Sequence, residues 1–396
     1  MKVPISRLAA AVQPSATLVA GARAARLKAE GFEVFDFGLG EPDFATPEHI
    51  CRAAYQAMKE GHTHYTPAAG LTELRAAVAR RYRELYDLHA TPEQVIICNG
   101  AKHVIHNALT ALCGPGDEVI IPTPYWVSYS DLVEMTGANY RLVQTSQESH
   151  FKMSAAQLRE AITPRSRVLM LNSPCNPTGS VYTRSELEAL AEVVLDSHLT
   201  VVSDEIYERL VFDGAEATCF ASLRPGLSER TITISGMSKT YAMTGWRMGW
   251  AVGPVPVIQA MTNVQSQQTG SPGTISQYAS LAGLYGDQSC VEMMRREFEV
   301  RRDLVIGRLQ SIPGIVSSRP DGAFYAFFDI SAFFGRTLGG KPINDSAGFC
   351  QAALEVAHVN MVAGSAFGAE GYVRLSFAAS RPQLAGGLDR LAEFLA

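Results

Sequence analysis

Two cations stand almost alone in the stretch SGMSKTYAMTGWRMGW, which runs from Ser235 to Trp250. Lys239 lies among small and hydroxyl residues, and Arg247 follows inside an apolar run. A lysine among neutral neighbours, with a second cation in the same pocket, gives up its proton more easily and becomes a nucleophile. The plain alternative is a surface lysine whose head reaches water.

Other chemistry-bearing residues follow short apolar runs. After EQVIIC come Asn99, Gly100, Ala101 and Lys102, at the start of a helical pattern. Free backbone N–H groups at a helix start, approached closely past a glycine, bind phosphate; the same residues also read as a simple turn. After DEVIIP come Tyr125 and Trp126, which could cover a flat ring or simply pack. After RVLMLN, the run Ser173-Pro174-Cys175-Asn176-Pro177-Thr178-Gly179 forms a rigid turn that holds Asn176 in one direction. After LTVVS come Asp204 and, three residues on, Tyr207. A carboxylate ending a buried strand is costly unless it meets a cation or a donor; a helix N-cap is the competing reading. Together these residues fit a phosphorylated aromatic cofactor that carries a carbonyl and is held by a lysine.

The elements that must position this set alternate along the chain. EQVIICN, DEVIIPT, RVLMLNS, LTVVSDE and RTITISG read as apolar strands, and helical patterns such as AKHVIHNALTAL and RSELEALAEVVLDSH lie between several of them. Such strands predict a mainly parallel sheet covered on both faces, with its site at the carboxyl ends of the strands. After about residue 290 the texture changes to a long charged helix, VEMMRREFEVRRDLVIGRLQSI, then the strands FYAFFDI and YVRLSFA and a last helix, LAGGLDRLAEFL. The expected division is a large α/β domain over 45–290, with residues 1–44 and 291–396 forming a smaller α+β domain.

Composition narrows the classes. The chain has 396 residues, 47% hydrophobic and 18% charged, with a net charge of −5. No long basic run occurs, which argues against nucleic acid or an anionic membrane surface as partner. Seven scattered cysteines without C-x-x-C suggest neither a disulfide framework nor a zinc cluster, and fit a cytoplasmic setting. No run of about twenty apolar residues is present, and the N-terminus, with Arg7, Arg23 and Arg26 spread through it, does not read as a secretion signal. His62 with His64, and His103 with His106, have metal-like spacing but no evident third ligand, so no metal is expected. Gly38-Leu39-Gly40 begins like a dinucleotide fingerprint, but Asp43 occupies the third glycine's place.

The motifs QPSAT, GLGEPDFATP, HYTPAAG, NGAKH, PYWVSY, NSPCNPTG, SDEIYE, SGMSKTYAMTGWRMGW and YVRLSFAAS span nearly the whole chain. In these stretches the sequence resembles the fold-type I pyridoxal-phosphate aminotransferases of class I, within them the bacterial aspartate aminotransferase subgroup that includes prephenate aminotransferases. The resemblance implies pyridoxal 5′-phosphate as cofactor and Lys239 as the lysine that holds it as a Schiff base, then acts as base and acid. Asp204 would pair with the ring nitrogen, Asn176 and Tyr207 with the ring's 3-oxygen, and Trp126 would stack on the ring. Arg247, the N–H groups of Ala101 and Lys102 beside Gly100, and Ser238 or Ser235 would hold the phosphate. Relatives often have serine three residues before the lysine, where this chain has Gly236.

Arg374 would clamp the substrate α-carboxylate, with Gly40 letting backbone approach it. An arginine on a strand otherwise reads as an exposed rung. Lys102, Ser15 and Thr17 would contact a side-chain carboxylate, although Lys102 could equally point its amine to water. Tyr65 would reach the partner's phosphate in a homodimer. The expected reaction is amino transfer from aspartate or glutamate to 2-oxoglutarate or oxaloacetate. Prephenate, aromatic or alanine-type transfer, and a carbon–sulfur lyase, are the alternatives. An aminotransferase-like sensor half of a transcription regulator is a further reading, disfavoured because no added DNA-binding domain is evident. Relatives that accept prephenate tend to have lysine where this chain has Gln13, which favours aspartate.

Overall fold

The computed structural model describes residues 3–12 and 14–396, so Gln13 lies outside the described residues. Seven strands form the central sheet: β1 (Val95–Asn99), β2 (Glu118–Pro122), β3 (Asn139–Val143), β4 (Ser166–Asn172), β5 (Thr200–Asp204), β6 (Thr231–Gly236) and β7 (Met248–Val252). Their order is β1-β7-β6-β5-β4-β2-β3. All neighbours pair parallel except at β7, which runs against both β1 and β6.

The apolar runs of these strands conceal a period of two. Ile96 and Cys98 enter one core cluster while Val95 and Ile97 enter another. Val168 and Met170 likewise part from Leu169 and Leu171. Both faces are covered, so both sets are apolar and the alternation vanishes from the sequence.

Register brings the strand ends to one rim. Asn172 pairs with Asp204, Asp204 with Ile234, and Gly236 with Gly249. Because β7 is antiparallel, its first residue, Met248, meets Asn99 at the end of β1. The segment carrying Lys239 and Arg247 is the connection from β6 to β7, and it therefore stays on this rim.

A second, antiparallel sheet contains β8 (Val316–Ser317), β9 (Tyr325–Asp329), β10 (Val362–Ala363) and β11 (Tyr372–Ser376) in the order β10-β11-β9-β8. The helices Ser289–Gln310 and Arg381–Leu395 pack together beside it. The first buries Met294, Phe298, Val305, Ile306 and Leu309 along its inner face. Phe35–Asp36 pairs in parallel with Val359–Asn360, which ties the N-terminal segment to this part of the chain. One apolar cluster joins Tyr207, Leu210 and Phe212, which follow β5, to Phe298, Phe324 and Phe328. That continuity fixes the second sheet over the rim of the first. Among the described residues, no helix is long and apolar enough to cross a membrane.

Candidate active site

A cavity of about 320 Å³ opens at this rim. Its lining includes Lys102, Lys239, Arg247 and Arg374, against two carboxylates, Glu41 and Asp204. None of the four cations forms an ion pair with a described residue. Unpaired positive charge around a partly enclosed space is a demand for anions.

Lys239 follows the end of β6 in the short helix Met237–Thr240. Its Nζ donates to the carbonyl of Gly40 at 2.5 Å. Burial, opposed by the nearby Glu41, pulls the amine down to about 8, with Arg374 and Arg247 acting in the same direction as burial. An appreciable share of a lysine with that pKa is neutral near pH 7–8 and able to act as nucleophile or base.

Asp204 ends β5, not a helix cap, and is buried. Its Oδ2 accepts from Tyr129 Oη at 2.6 Å, and its Oδ1 from the N–H of Ile206 at 3.3 Å. Burial pushes its carboxyl up to about 6 in spite of those donors. The carboxylate is therefore ionised at neutral pH but held at a cost, as suits a group waiting for a cationic or N–H partner.

Asn176 is tied from two sides. Its N–H donates to Asn172 Oδ1 at 2.9 Å, and Asn172 Nδ2 donates to the carbonyl of Asp204 at 2.8 Å. Its Oδ1 accepts from Arg374 Nη1 at 2.9 Å. Arg374 is not an exposed rung but 1% exposed, in the middle of β11. Its Nη2 donates to the carbonyl of Gly38 at 2.7 Å, while its buried Nε has no partner. A buried guanidinium with an idle N–H has capacity left for a carboxylate.

The backbone N–H groups expected to receive an anion lie at the start of the helix Ala101–Leu112. Gly100 precedes it at φ 84°, and a Cβ there would come within 2.5 Å of Arg247 Nη2. A Cβ on Gly249 would come within 2.5 Å of the Ala101 N, so this glycine lets β7 press against the helix start. Arg247 is exposed in the single chain, contrary to the buried look of its segment; its Nη1 donates to the carbonyl of Thr244 at 2.8 Å. Gly236 carries no side chain for a plain reason: a Cβ would meet the Met248 carbonyl at 2.6 Å and Gly249 Cα at 2.9 Å. Ser238 lines the cavity, whereas Ser235 is buried with its Oγ 3.4 Å from Glu208.

Trp126 lines the cavity with the Nζ of Lys102 4.9 Å from its ring centre. Burial and the nearby Arg247 lower the Lys102 pKa. Tyr207 and Thr17 also line the cavity, and Gly40 contributes backbone. Ser15 is not part of this lining; its Oγ lies 2.9 Å from that of Thr17. Tyr65 is 98% exposed and does not line the cavity of its own chain. The histidine pair at 103 and 106 meets Gln268, and among the described residues no cluster of His, Cys, Asp and Glu is arranged around a metal position.

Sequence reasoning missed Tyr129 and Tyr325. Tyr129 stands one helical turn after Trp126, with the two rings edge to face at 5.4 Å. Tyr325 begins β9 and places its hydroxyl 2.7 Å from that of Tyr207. Both lie in apolar runs, where a tyrosine looks like core; an unshared hydroxyl in need of a partner is the sole signal.

The donors suit a ligand with a phosphate, a flat ring and a carbonyl, together with a carboxylate-bearing second molecule. The family model for aminotransferase class I and II matches residues 33–391. An aspartate aminotransferase of Geobacillus stearothermophilus is 44% identical over 391 residues, covering 99% of this chain and 98% of that one. An aspartate/prephenate aminotransferase of Cereibacter sphaeroides is 44% identical over 394 residues, covering 99% and 98%. The crystal structure of the Rhizobium meliloti aspartate aminotransferase superposes with a TM-score of 0.96 at 42% identity, covering 100% and 99%. The aspartate aminotransferase of Thermus thermophilus with maleate gives 0.94 at 41% identity, covering 100% of both chains.

Proposed function

The chain belongs to the class I and II aminotransferases and has fold type I of the pyridoxal-phosphate transferases, and from that premise we propose that it moves the amino group of L-aspartate to 2-oxoglutarate with pyridoxal 5′-phosphate bound at the rim cavity. The observation that carries the reading is the set of four cations, none paired with a carboxylate, around that cavity. A phosphate and two substrate carboxylates supply the missing negative charge.

Arg247, Ser238 and the N–H groups of Ala101 and Lys102 would hold the phosphate. Asp204 would keep a proton on the ring nitrogen, and Tyr129 holds that carboxylate in place. Asn176 and Tyr207 would donate to the ring's oxygen, and Trp126 would cover the ring. When bound, pyridoxal phosphate supplies an electron sink that stabilises negative charge on the substrate Cα. Lys239 is the anchor and then the proton carrier: its neutral Nζ takes the Cα proton and, once charged, returns it. Arg374 grips the α-carboxylate with the N–H it leaves unused, which fixes Cα relative to Lys239.

Lys102 favours an acidic side chain. Its amine lies over Trp126 without a carboxylate partner, and maleate, the ligand of the Thermus thermophilus structure, is a dicarboxylate of aspartate's length. A charge-assisted hydrogen bond is worth about 1.5–3 kcal/mol, hence roughly tenfold or more in discrimination. Lys102→Met is therefore expected to lower kcat/KM for aspartate by roughly ten- to a hundredfold and to change that for alanine less than about threefold. An unchanged aspartate-to-alanine ratio would remove Lys102 from substrate recognition. A wild-type preference for an aromatic or aliphatic donor would overturn the acidic substrate.

The proposal includes a homodimer in which Tyr65 reaches the partner's phosphate. Its support is a tyrosine ring left 98% exposed on a loop, where burying that ring against a second chain would be favourable. Seven unpaired cysteines support a cytoplasmic setting.

A further inference from the structure

We infer that Tyr325 is a positioning residue: its hydroxyl donates to Tyr207 Oη and so leaves the Tyr207 proton free for an anionic oxygen in the cavity. The inference rests on the reading that the cavity takes pyridoxal phosphate.

The two hydroxyl oxygens are 2.7 Å apart, and both side chains are buried. Among the described residues, neither hydroxyl has another hydrogen-bond partner. The Tyr325 oxygen is lodged against Gly40, since a Cβ on that glycine would overlap it. Its ring is held as well. It stands edge to face on Tyr207 at 5.8 Å and 83°, and Arg374 Cζ lies 4.5 Å from its centre. Phe327 is opposite Arg374 in the β9–β11 register, which makes Tyr325 the diagonal neighbour of Arg374 on the same face.

Two hydroxyls at this distance share one hydrogen between them. If Tyr207 gave its hydrogen to Tyr325, it would turn only lone pairs to the cavity, where an anionic oxygen needs a donor. If Tyr325 gives, Tyr207 keeps its hydrogen for that oxygen. A hydroxyl that accepts one hydrogen bond is also a stronger donor in the next. Binding an anion therefore selects the order Tyr325, Tyr207, ligand. The wedge of Tyr325 between Gly40 and Arg374 keeps the first link from rotating away.

The test is a visible-absorbance pH titration of the holoenzyme. A donor aimed at an anionic oxygen stabilises the deprotonated chromophore, so weakening it raises the titration midpoint. Tyr325→Phe keeps the ring and removes the hydroxyl. The midpoint is expected to rise by about half to one pH unit, while KM for aspartate changes less than about threefold because the ring beneath Arg374 remains. Tyr207→Phe should raise the midpoint further, and the double variant should match Tyr207→Phe alone. Replacing Tyr325 by 3-fluorotyrosine, a more acidic phenol and stronger donor, should move the midpoint down. A Tyr325→Phe midpoint within about 0.2 unit of wild type, or a Tyr325→Phe shift that persists when Tyr207 is already Phe, overturns the inference and leaves the cofactor reading standing. A wild-type protein that acquires no visible band with pyridoxal phosphate overturns both.

Discussion

Asp204 shows what a single buried carboxylate costs a fold. A carboxyl ordinarily near 3.8 is pushed up to about 6 by burial, and Tyr129 and the Ile206 N–H offset only part of that cost. The sign of the pH effect follows from linkage. Between pH 4 and 6 the native chain without cofactor binds more protons at this site than the unfolded chain, so this group's contribution to stability falls as pH rises. The penalty is absent below about pH 4 and complete above about pH 6. Asp204→Asn, whose amide oxygen still accepts from Tyr129, is therefore expected to make the cofactor-free protein more stable at pH 7.5, by on the order of 2 kcal/mol, and no more stable at pH 4. Activity should fall by orders of magnitude in the same variant, because the neutral amide cannot hold a proton on a ring nitrogen. Thermal melts at the two pH values and one rate measurement check it. Equal melting temperatures at pH 7.5 would mean that the buried carboxylate carries no penalty.

At the scale of elements, the site depends on β7 running against its neighbours. Sequence periodicity identified five parallel strands because each is an apolar run that stops at a polar residue. It does not identify β3, whose residues NYRLV are partly exposed at the edge of the sheet, or β7, whose residues MGWAV simply continue the segment that carries Lys239 and Arg247. The same logic separates the legible site residues from the rest. Asp204 ends an apolar strand, and Asn176 and Lys239 stand in the polar turns just after two others, so all three are readable as chemistry. Arg374 was readable only through the family resemblance, because nothing local reveals that the second sheet buries it. Tyr129 and Tyr325 were not readable at all: each looks like core, and their partners Asp204 and Tyr207 lie 75 and 118 residues away. The close contact of β7 with the helix start can be tested directly. A Cβ on Gly249 would meet the Gly100 carbonyl carbon at 2.6 Å as well as the Ala101 N, and backbone cannot swing aside as a flexible side chain can. Gly249→Ala is expected to cost about 1–3 kcal/mol in stability and to weaken inorganic phosphate binding at the helix start. A variant with wild-type phosphate affinity would mean that the helix start can shift without loss.

For the whole molecule, the two sheets close one cavity, and the proposed dimer completes it. If Tyr65 serves the partner's site, a Tyr65→Phe chain and a Lys239→Ala chain each lack something the other supplies. Mixed and allowed to exchange, they should form hybrid dimers with one fully native site, roughly a quarter of all sites at equal mixing. Activity equal to the simple mean of the two parents would contradict shared sites. Amino transfer through Lys239 can be checked in one reaction. Protein loaded with pyridoxal phosphate is given L-aspartate and 2-oxoglutarate, and oxaloacetate, glutamate and ammonia are measured for wild type and Lys239→Ala. Wild type is expected to give oxaloacetate and glutamate in equal amounts over many turnovers, no ammonia, no oxaloacetate beyond about one per site when the oxo acid is left out, and neither product is expected from the variant. Ammonia release without an oxo acid, or undiminished transfer by Lys239→Ala, would contradict amino transfer through Lys239.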